Sequence, residues 1–360
     1  MKIIISADFH LSLRETHAIT TEEGNSRLQD KLKLISESVQ YAITNKADMY
    51  ISAGDEFDSL NPPELLRYKF IEVMAPLFEA GIPWRLIMGN HVYNATYYNM
   101  MSEEKLLKLL GKTEFKIVSE VSTEEFHGHT LGYIPWVRIK EAEEFLSKTH
   151  DMVLFGHMPI VGALLNDYEI RSKEGIAGPN FIGQRAAFFG HYHTPQMQGA
   201  FGYVGSIARQ DFSERDQDKG FIQYTSSSPI GSDNHDVQFI KVNDRPFTQY
   251  EFSEPDDPIE FVEQLTLNGD IVKVKLMGTD KWLYSINKAE LSDKLLKAGA
   301  LKVMPPELQS LEEAQVKFSY SKDSSFQSNI EDYCKRKKRA DCEPLMQDIL
   351  TEVINAQKEL

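Results

Sequence analysis

The stretch DMYISAGDEFD, at residues 48–58, decides the fold of this chain. Its first half is a short run of apolar and β-branched side chains, which is typical of a buried β-strand. The run ends directly in Gly54 and Asp55, and glycine permits a sharp turn at that point. Asp58 follows, either as part of the same polar cluster or as an acceptor for the first N–H groups of a helix. The stretch therefore predicts a strand that carries carboxylates at its end.

The same arrangement recurs on both sides of this stretch. Four further apolar runs end in polar clusters: Lys2 to Ser6 before Asp8 and His10, Pro83 to Met88 before Asn90 and His91, Asp151 to Phe155 before His157, and Ala186 to Phe189 before His191 and His193. Segments with apolar residues at helical spacing lie between the runs, at Asn25 to Asn45 and Pro63 to Ala80. This alternation predicts an α/β sandwich. Ligands collect outside the carboxyl ends of strands in α/β sheets, so the five clusters should converge on one site.

Beyond about Asp211 the pattern changes and divides the chain. Strand-like runs at Gly220 to Thr225 and Val237 to Val242, followed by Gln249 to Phe252, are expected to close the catalytic fold. The turn-rich segment Ser253 to Pro258 indicates a domain boundary. We therefore predict a catalytic domain over residues 1–252, a small α+β domain over residues 253–320, and a linker with a helical tail over residues 321–360.

Composition narrows the class of protein. The 360 residues are 41% apolar and 26% charged, as in an ordinary soluble protein. The net charge of −15 argues against a surface that binds nucleic acid everywhere, although a site that gathers carboxylates around cations is compatible with it. Only two cysteines occur, Cys334 and Cys342, which excludes a disulfide framework. No apolar run reaches the roughly 18 to 20 residues of a membrane span, so we expect a cytoplasmic protein.

Taken together, the polar clusters form the ligand set of a two-metal centre. Each cluster alone is a weak signal, since a lone Asp-x-His or Gly-His is usually a turn or a structural histidine. Their ordered combination of carboxylate, amide and imidazole groups suits manganese, iron or zinc better than magnesium, which prefers oxygen ligands. Two ions about 3.5 to 4 Å apart can stabilise the in-line cleavage of a phosphodiester. The sequence therefore predicts metal-dependent phosphodiester hydrolysis, with two divalent ions that we expect to be manganese.

The order and spacing of these motifs resembles the calcineurin-like metallophosphoesterases. The resemblance covers roughly residues 1 to 225 with specific motifs and implies a four-layer α/β/β/α sandwich. It implies that Asp8, His10, Asp55 and His193 hold the first ion, and that Asp55, Asn90, His157 and His191 hold the second, with Asp55 as the bridge. His91 matches the family's non-ligand histidine, which stabilises the transition state or protonates the leaving oxygen.

A second stretch, from Tyr203 to Glu214 and ending in Lys219-Gly220-Phe221, is similar to the YxGSxxRxxFxE…KGF signature of DNA-repair exonucleases. These are the SbcD type and its meiotic-recombination-eleven counterparts. The similarity implies an exonuclease and endonuclease that acts on single- and double-stranded DNA ends, for repair of double-strand breaks and recombination, in a bacterial cell or a phage-infected host. It also implies a homodimer and an SMC-like ABC ATPase as partner. Residues 253–320 would then cap the DNA groove, and the helical segment from Asn329 would dock the ATPase.

Three positions within these motifs either depart from the family's usual residue or have two possible roles. Val92 stands where the family usually has an acidic residue after Gly-Asn-His, so an orienting carboxylate for His91 is missing. Asp58 stands where one branch of the repair nucleases has a catalytic histidine, and we assign it to the catalytic residues. Arg209 is either a phosphate contact or a structural ion-pair partner, and we favour the structural role.

Two other functions are compatible with these motifs. The same centre could serve a phosphodiesterase or phosphatase that acts on a nucleotide, a phospholipid or a phosphoprotein. The stretch after Tyr203 and the additional C-terminal residues favour DNA instead. A protein that only binds a partner and has lost its metals is disfavoured, because every ligand position is filled.

Overall fold

A computed structural model describes residues 1–13, 16–22, 24–92, 111, 114–165, 170–227 and 235–311. The predicted strand from Val316 to Tyr320, the linker and the helical tail from Asn329 lie outside the described residues, as does the basic run Lys335 to Arg339. None of the helices in the described ranges has the length and apolar character needed to cross a membrane.

The described part of the chain contains strands and helices that we number in chain order. The strands are β1 Lys2–Ser6, β2 Thr20–Thr21, β3 Gly24–Asn25, β4 Met49–Ser52, β5 Trp84–Ile87, β6 Phe115–Val118, β7 Ser122–Phe126, β8 His129–Ile134, β9 Val153–His157, β10 Ala186–Gly190, β11 Gln196–Gln198, β12 Phe201–Tyr203, β13 Gly220–Ser226, β14 His235–Lys241, β15 Phe247–Ser253, β16 Ile271–Gly278, β17 Lys302–Val303 and β18 Glu307–Ser310. The helices are α1 Ser26–Thr44, α2 Glu64–Glu79, α3 Ile139–Ser147, α4 Pro258–Val262, α5 Asp280–Ser285 and α6 Lys288–Lys297.

Two six-stranded sheets form the larger part of the molecule. The first has the order β14-β13-β1-β4-β5-β6, and the second has the order β11-β12-β10-β9-β8-β7. Strands β1, β4, β5 and β6 run parallel, and so do β8, β9, β10 and β12. β13 pairs antiparallel with β1 and with the edge strand β14, and the edge strands β7 and β11 of the second sheet also pair antiparallel. Parallel strands need covered faces, so each sheet requires a helix layer outside it.

The side chains of β1 show how the layers are stacked. Ile3 and Ile5 point into the core between the two sheets, while Ile4 points to the opposite face and packs with α1 and α2. Successive side chains of a strand alternate between faces, so one apolar strand can serve two cores. On the far side, Leu146 of α3 packs with Leu154 of β9. The predicted four-layer α/β/β/α sandwich is therefore confirmed.

Helix α1 matches its prediction closely. Asn25 caps its first turn by accepting a hydrogen bond from the Leu28 N–H at 3.0 Å. Its buried apolar side chains recur every three or four residues, as expected for a helix with one face on a core, at Leu28, Leu32, Ile35, Val39 and Ala42.

The small C-terminal domain begins earlier than the sequence indicated. Strand β15 runs parallel to β16 over seven residue pairs, from Phe247 with Ile271 to Ser253 with Met277. Gln249 to Phe252 therefore belongs to the small sheet and does not close the catalytic fold. The reason is apolar burial, because Phe252 packs in a separate core with Val272 and Leu276. Ser253 to Pro258 is a turn within the small domain, and the connection between domains lies between β14 and β15.

Ion pairs attach the small domain to α1. Arg245, in the connection, binds both carboxylate oxygens of Asp30 at 2.6 and 2.7 Å. The neighbouring Asp244 is buried and pairs with Arg27 at 3.4 Å and with Arg209 at 3.3 Å. Arg209 also donates to the carbonyls of the 209–217 loop, so its guanidinium is used structurally, as the sequence analysis favoured.

Candidate metal centre

Five strand ends meet at one edge of the sandwich. β1, β4 and β5 are close together in the first sheet, and β9 and β10 are neighbours in the second. Each of these strands, or the short loop after it, carries predicted site residues. Their ligand atoms come within 4.8 Å of one another in three groups: Asp8 with His10 and His193, His10 with Asp55 and His91, and Asp8 with Asp55 and His157. The structure thus brings together side chains that are up to 185 positions apart, from Asp8 to His193.

The backbone at these ligands adopts an unusual conformation. Asp8, His10, Asp55 and His191 have φ angles of 52°, 44°, 54° and 105°, in the left-handed region. Non-glycine residues in this region cost of order 1 to 3 kcal/mol each and concentrate at functional sites. The strand ends are rigid enough to hold them, since the Asp8 N–H donates to the Gly54 carbonyl at 3.0 Å.

The two carboxylates are buried and held by backbone N–H groups. The His191 N–H donates to both oxygens of Asp8, at 3.0 and 3.1 Å, and the His91 N–H donates to Asp55 Oδ1 at 3.0 Å. Gly89 makes room for Asp55, because a Cβ at that glycine would lie 2.2 Å from Asp55 Oδ1. Both carboxylates therefore keep one defined orientation.

Two histidines face each other at the first ion's predicted position. Nε2 of His193 lies 3.0 Å from Nε2 of His10. His193 donates its Nδ1–H to Glu214 Oε1 at 2.8 Å, and His10 turns its Nδ1 toward the Asp58 carboxylate at 3.6 Å. Two imidazole nitrogens that face each other at this distance share either a proton or a metal ion, so this donor set fits a divalent metal ion.

The second predicted position has the same property. His157 donates its Nδ1–H to the Ala53 carbonyl at 2.8 Å and turns Nε2 toward Asn90 Oδ1 at 3.0 Å and Asp55 Oδ2 at 3.2 Å, so Nε2 can hold either a proton or a metal ion. Asn90 Oδ1 also lies 3.0 Å from Nδ1 of His191. Acceptor atoms converge here from a carboxylate, an amide and two imidazoles, which is a ligand set for a transition-metal ion.

Burial and the charges of neighbouring groups shift the pKa values of this centre in opposite directions. Burial tends to lower the pKa of His157, but Asp55 and Asp8 raise it to about 9. Burial tends to raise the pKa of Asp55, but His157 and His10 hold it well below its usual range. Burial, together with the charge of His157, lowers the pKa of His191 to about 3. Without metal, a proton on His157 supplies charge that an ion would supply when bound.

His91 and Asp58 lie at the rim of the centre. The His91 ring donates its Nδ1–H to the backbone carbonyl of Asp58 at 3.2 Å and packs edge-on against His10, with 4.9 Å between ring centroids. Its Nε2 therefore remains available to a ligand. The Asp58 carbonyl therefore orients His91 in this chain, in which Val92 stands where the family usually has an acidic residue. Asp58 contacts His10 and His91, which supports a role in positioning both rings.

A buried group of residues lies behind His193 and was not predicted from the sequence. Glu214 accepts from His193 and pairs with Lys219 Nζ at 2.7 Å, while Lys219 also donates to Ser206 Oγ and to the His193 carbonyl, both at 2.9 Å. Burial tends to raise the pKa of Glu214, but His193 and Lys219 hold it at about 2. All three residues lie within the stretch similar to repair exonucleases, which was the available signal. Nothing in their spacing indicated that Glu214 meets His193.

Glu56 is a second feature that the sequence did not indicate. It follows Asp55, is fully buried, and neither of its carboxyl oxygens has a hydrogen-bond partner among the described residues. Burial raises its pKa well above the usual range, and the neighbouring Asp55 adds to this. Glu56 is therefore expected to be protonated in the metal-free protein.

The family of the chain follows from a sequence match that covers this centre. Residues 1–195 of the 360 match the calcineurin-like phosphoesterases. The chain belongs to this family. The calcineurin-like phosphoesterases use divalent metal ions, and the converging donors described above fit that chemistry. The chain is accordingly an enzyme of the phosphoester-hydrolysing class.

Several curated proteins are similar to this chain. The DNA double-strand break repair protein Mre11 of Methanosarcina mazei is 25% identical over 320 residues, which cover 84% of this chain and 49% of that protein. The SbcD subunit of the nuclease SbcCD of Bacillus subtilis is 35% identical over 92 residues, 25% of this chain and 22% of that protein. Mre11 of Methanosarcina acetivorans is 31% identical over 115 residues, 31% of this chain and 18% of that protein. The chain thus spans about half or less of the length of these relatives.

Proposed function

We propose that this calcineurin-like phosphoesterase is a DNA nuclease that processes the ends of double-strand breaks. The observation that carries the proposal is the buried group of Glu214, Lys219 and Ser206 behind His193. These residues of the repair-exonuclease signature contact a predicted metal ligand, Glu214 at its ring, and Lys219 Nζ and the Ser206 N–H at its backbone carbonyl. The names of the similar proteins from Methanosarcina and Bacillus support the same substrate.

In the proposed reaction, water adds to a phosphodiester phosphorus, the P–O bond to one nucleoside breaks, and the leaving oxygen takes up a proton. Two divalent ions, when bound, would supply Lewis acidity toward the phosphate oxygens. Asp8, His10, Asp55 and His193 would hold the first ion, and Asp55, Asn90, His157 and His191 the second. His91 keeps its Nδ1–H on the Asp58 carbonyl and, with a second proton on Nε2, donates that second proton to the leaving oxygen. The proton that the attacking water loses passes to solvent, from which Nε2 is protonated again. Asp58, which the sequence places among the catalytic residues, acts by keeping the His91 and His10 rings in place.

The proposal extends to the ions and the partners. We assign manganese, because imidazole and carboxylate ligands together suit it better than magnesium. We assign an SMC-like ATPase as the partner and the segment from Asn329 as its docking element, on the similarity to a component of the SbcCD nuclease. We also assign a homodimer, supported by Leu65 and Tyr68, which α2 leaves 55% and 65% exposed.

Purified full-length protein with manganese decides between DNA and small substrates. We expect cleavage of linear double- and single-stranded DNA, and no cleavage by the Asp55→Ala variant prepared in parallel. Turnover of small phosphodiesters or mononucleotides with intact linear and plasmid DNA would contradict the proposal and favour a small-molecule phosphodiesterase. Metal analysis of the same samples should find two manganese ions per chain, whereas fewer at saturation would favour a binding protein without activity.

A further inference from the structure

The indole of Trp136 lies beside the metal centre and has no part in the chemistry described above. Its ring centroid is 5.1 Å from that of His191 and 6.3 Å from that of His157. Its backbone N–H donates to the Met88 carbonyl at 2.8 Å, two residues before Asn90. Trp136 is therefore fixed to the same strand end that delivers a predicted ligand.

Only part of this indole is used by the protein core. Trp136 packs against the apolar cluster under α3 but remains only half-buried. Its side-chain N–H makes no hydrogen bond with any residue of the described ranges. The fully buried Trp84 is different, because its N–H donates to Ser52 Oγ at 2.9 Å. A half-buried tryptophan at a substrate site is suited to contact a ligand.

Two cationic side chains follow Trp136 closely in the chain. Arg138 and Lys140 are exposed, and neither side chain forms an ion pair or hydrogen bond with another residue of the described ranges. They are the two residues of the described ranges nearest in sequence to Trp136 that carry positive charge, in a protein whose net charge is −15. Aromatic rings that stack bases, next to cations that contact phosphates, are the common features of single-strand binding sites.

We infer that Trp136 stacks on an unpaired base next to the scissile phosphodiester, with Arg138 and Lys140 beside the adjacent phosphates. This inference rests on the proposed nuclease function. A base inside a duplex is already stacked on both sides, whereas an unpaired base, in a single strand or at a frayed end, offers a free face to the indole. Trp136 is then a specificity-determining residue that favours unpaired nucleotides at the cleavage position.

The test compares oligothymidine with a matched oligomer that has the same sugar-phosphate backbone and no bases. Stacking on an aromatic side chain contributes about 1 to 3 kcal/mol, which is roughly 5- to 150-fold. We expect Trp136→Ala to lower kcat/KM on oligothymidine by that factor and to leave the rate on the baseless oligomer unchanged. Trp136→Phe should retain most of the activity. Ile182→Ala, which removes an exposed apolar side chain of the same domain, is the control and should match wild type on both oligomers.

A binding measurement tests the same contact without cleavage. An oligonucleotide with one 2-aminopurine, titrated in calcium, should lose fluorescence on binding wild type and Trp136→Phe, and lose much less on binding Trp136→Ala. Equal loss of kcat/KM on both oligomers, or equal quenching by all variants, would overturn the inference. If wild type cleaves neither oligomer but quenches the probe through Trp136, the stacking stands and the nuclease proposal fails.

Discussion

His91 is held at two points and keeps one ring nitrogen free. Its N–H binds Asp55 and its Nδ1–H binds the Asp58 carbonyl, so the geometry of the ring does not depend on a bound ion. We expect His91→Ala to lower the single-turnover cleavage rate by about 100- to 10,000-fold, which is the usual contribution of a general acid. Metal content and DNA affinity should remain as in wild type.

Asp55→Ala is the matched comparison for His91→Ala. Asp55 faces both groups of donors, so its loss should remove metal occupancy as well as cleavage. Elemental analysis and DNA binding separate the two variants. If both variants keep the cleavage rate, or if His91→Ala loses metal as Asp55→Ala does, the assigned roles are wrong.

Glu214 should control how tightly the first ion binds. Its carboxylate fixes the ring of His193, and losing such a partner of a metal-bound histidine typically lowers metal affinity 10- to 100-fold. We therefore expect Glu214→Gln to weaken manganese binding by that factor in calorimetric titrations, with the secondary structure intact by circular dichroism. Glu79→Gln, at an exposed site at the end of α2, should bind as wild type does. Unchanged affinity in Glu214→Gln would contradict the positioning role.

Glu56 should make the metal-free protein less stable as pH rises. Its pKa is raised in the folded state, whereas an unfolded glutamate loses its proton near pH 4.3. The free energy of unfolding should therefore decrease with pH above about 4.3, until the pH passes the folded pKa. Glu56→Gln cannot lose this proton, so we expect its melting temperature in EDTA to exceed that of wild type by a margin that grows from pH 5 to pH 8. A margin that is constant with pH would show that Glu56 is not protonated in the fold.

At the scale of strands, Gly190 limits how closely the two sheets can approach. A Cβ on this last residue of β10 would lie 2.2 Å from the Ala53 carbonyl oxygen and 2.9 Å from His157 Nδ1. Backbone atoms cannot move aside as a flexible side chain can, so we expect Gly190→Ala to lower the free energy of unfolding by about 1 to 3 kcal/mol. Denaturant titration measures this. Gly178→Ala, where a Cβ would meet no atom within 4 Å, should change stability little, and equal effects of both substitutions would contradict the argument.

The elements that were predictable are those whose pattern is local. The strands around DMYISAGDEFD and its counterparts could be predicted because an apolar run that ends in a polar cluster can be recognised in a single sequence. Helix α1 could be predicted because its capping residue and its apolar spacing are also local features. The location of β15 was not predictable, since its sheet depends on pairing with β16, which follows it. Glu214 was missed for the same reason, because its contact with His193 spans 21 positions through the fold.

At the scale of the whole molecule, we expect the metal centre to cleave DNA independently of the C-terminal segment Asn329 to Leu360. All predicted metal ligands lie between Asp8 and His193, far in sequence from the segment Asn329 to Leu360. We expect deletion of that segment to leave manganese-dependent cleavage of linear DNA within about twofold of wild type, and to abolish co-purification with a tagged SMC-like ATPase. A full-length protein with the same tail residues in scrambled order is the control, and it should also fail to co-purify. Unchanged co-purification after deletion would remove the docking assignment.

The left-handed backbone at Asp8, His10, Asp55 and His191 has a consequence for how the gene evolves. Glycine is the residue most at ease in that conformation, so folding alone would favour glycine at all four positions. Selection for stability and selection for catalysis therefore oppose each other at the same codons. In a lineage that no longer needs the enzyme, these ligands should be among the first residues to be substituted. The resulting protein should have a higher free energy of unfolding than its active ancestor.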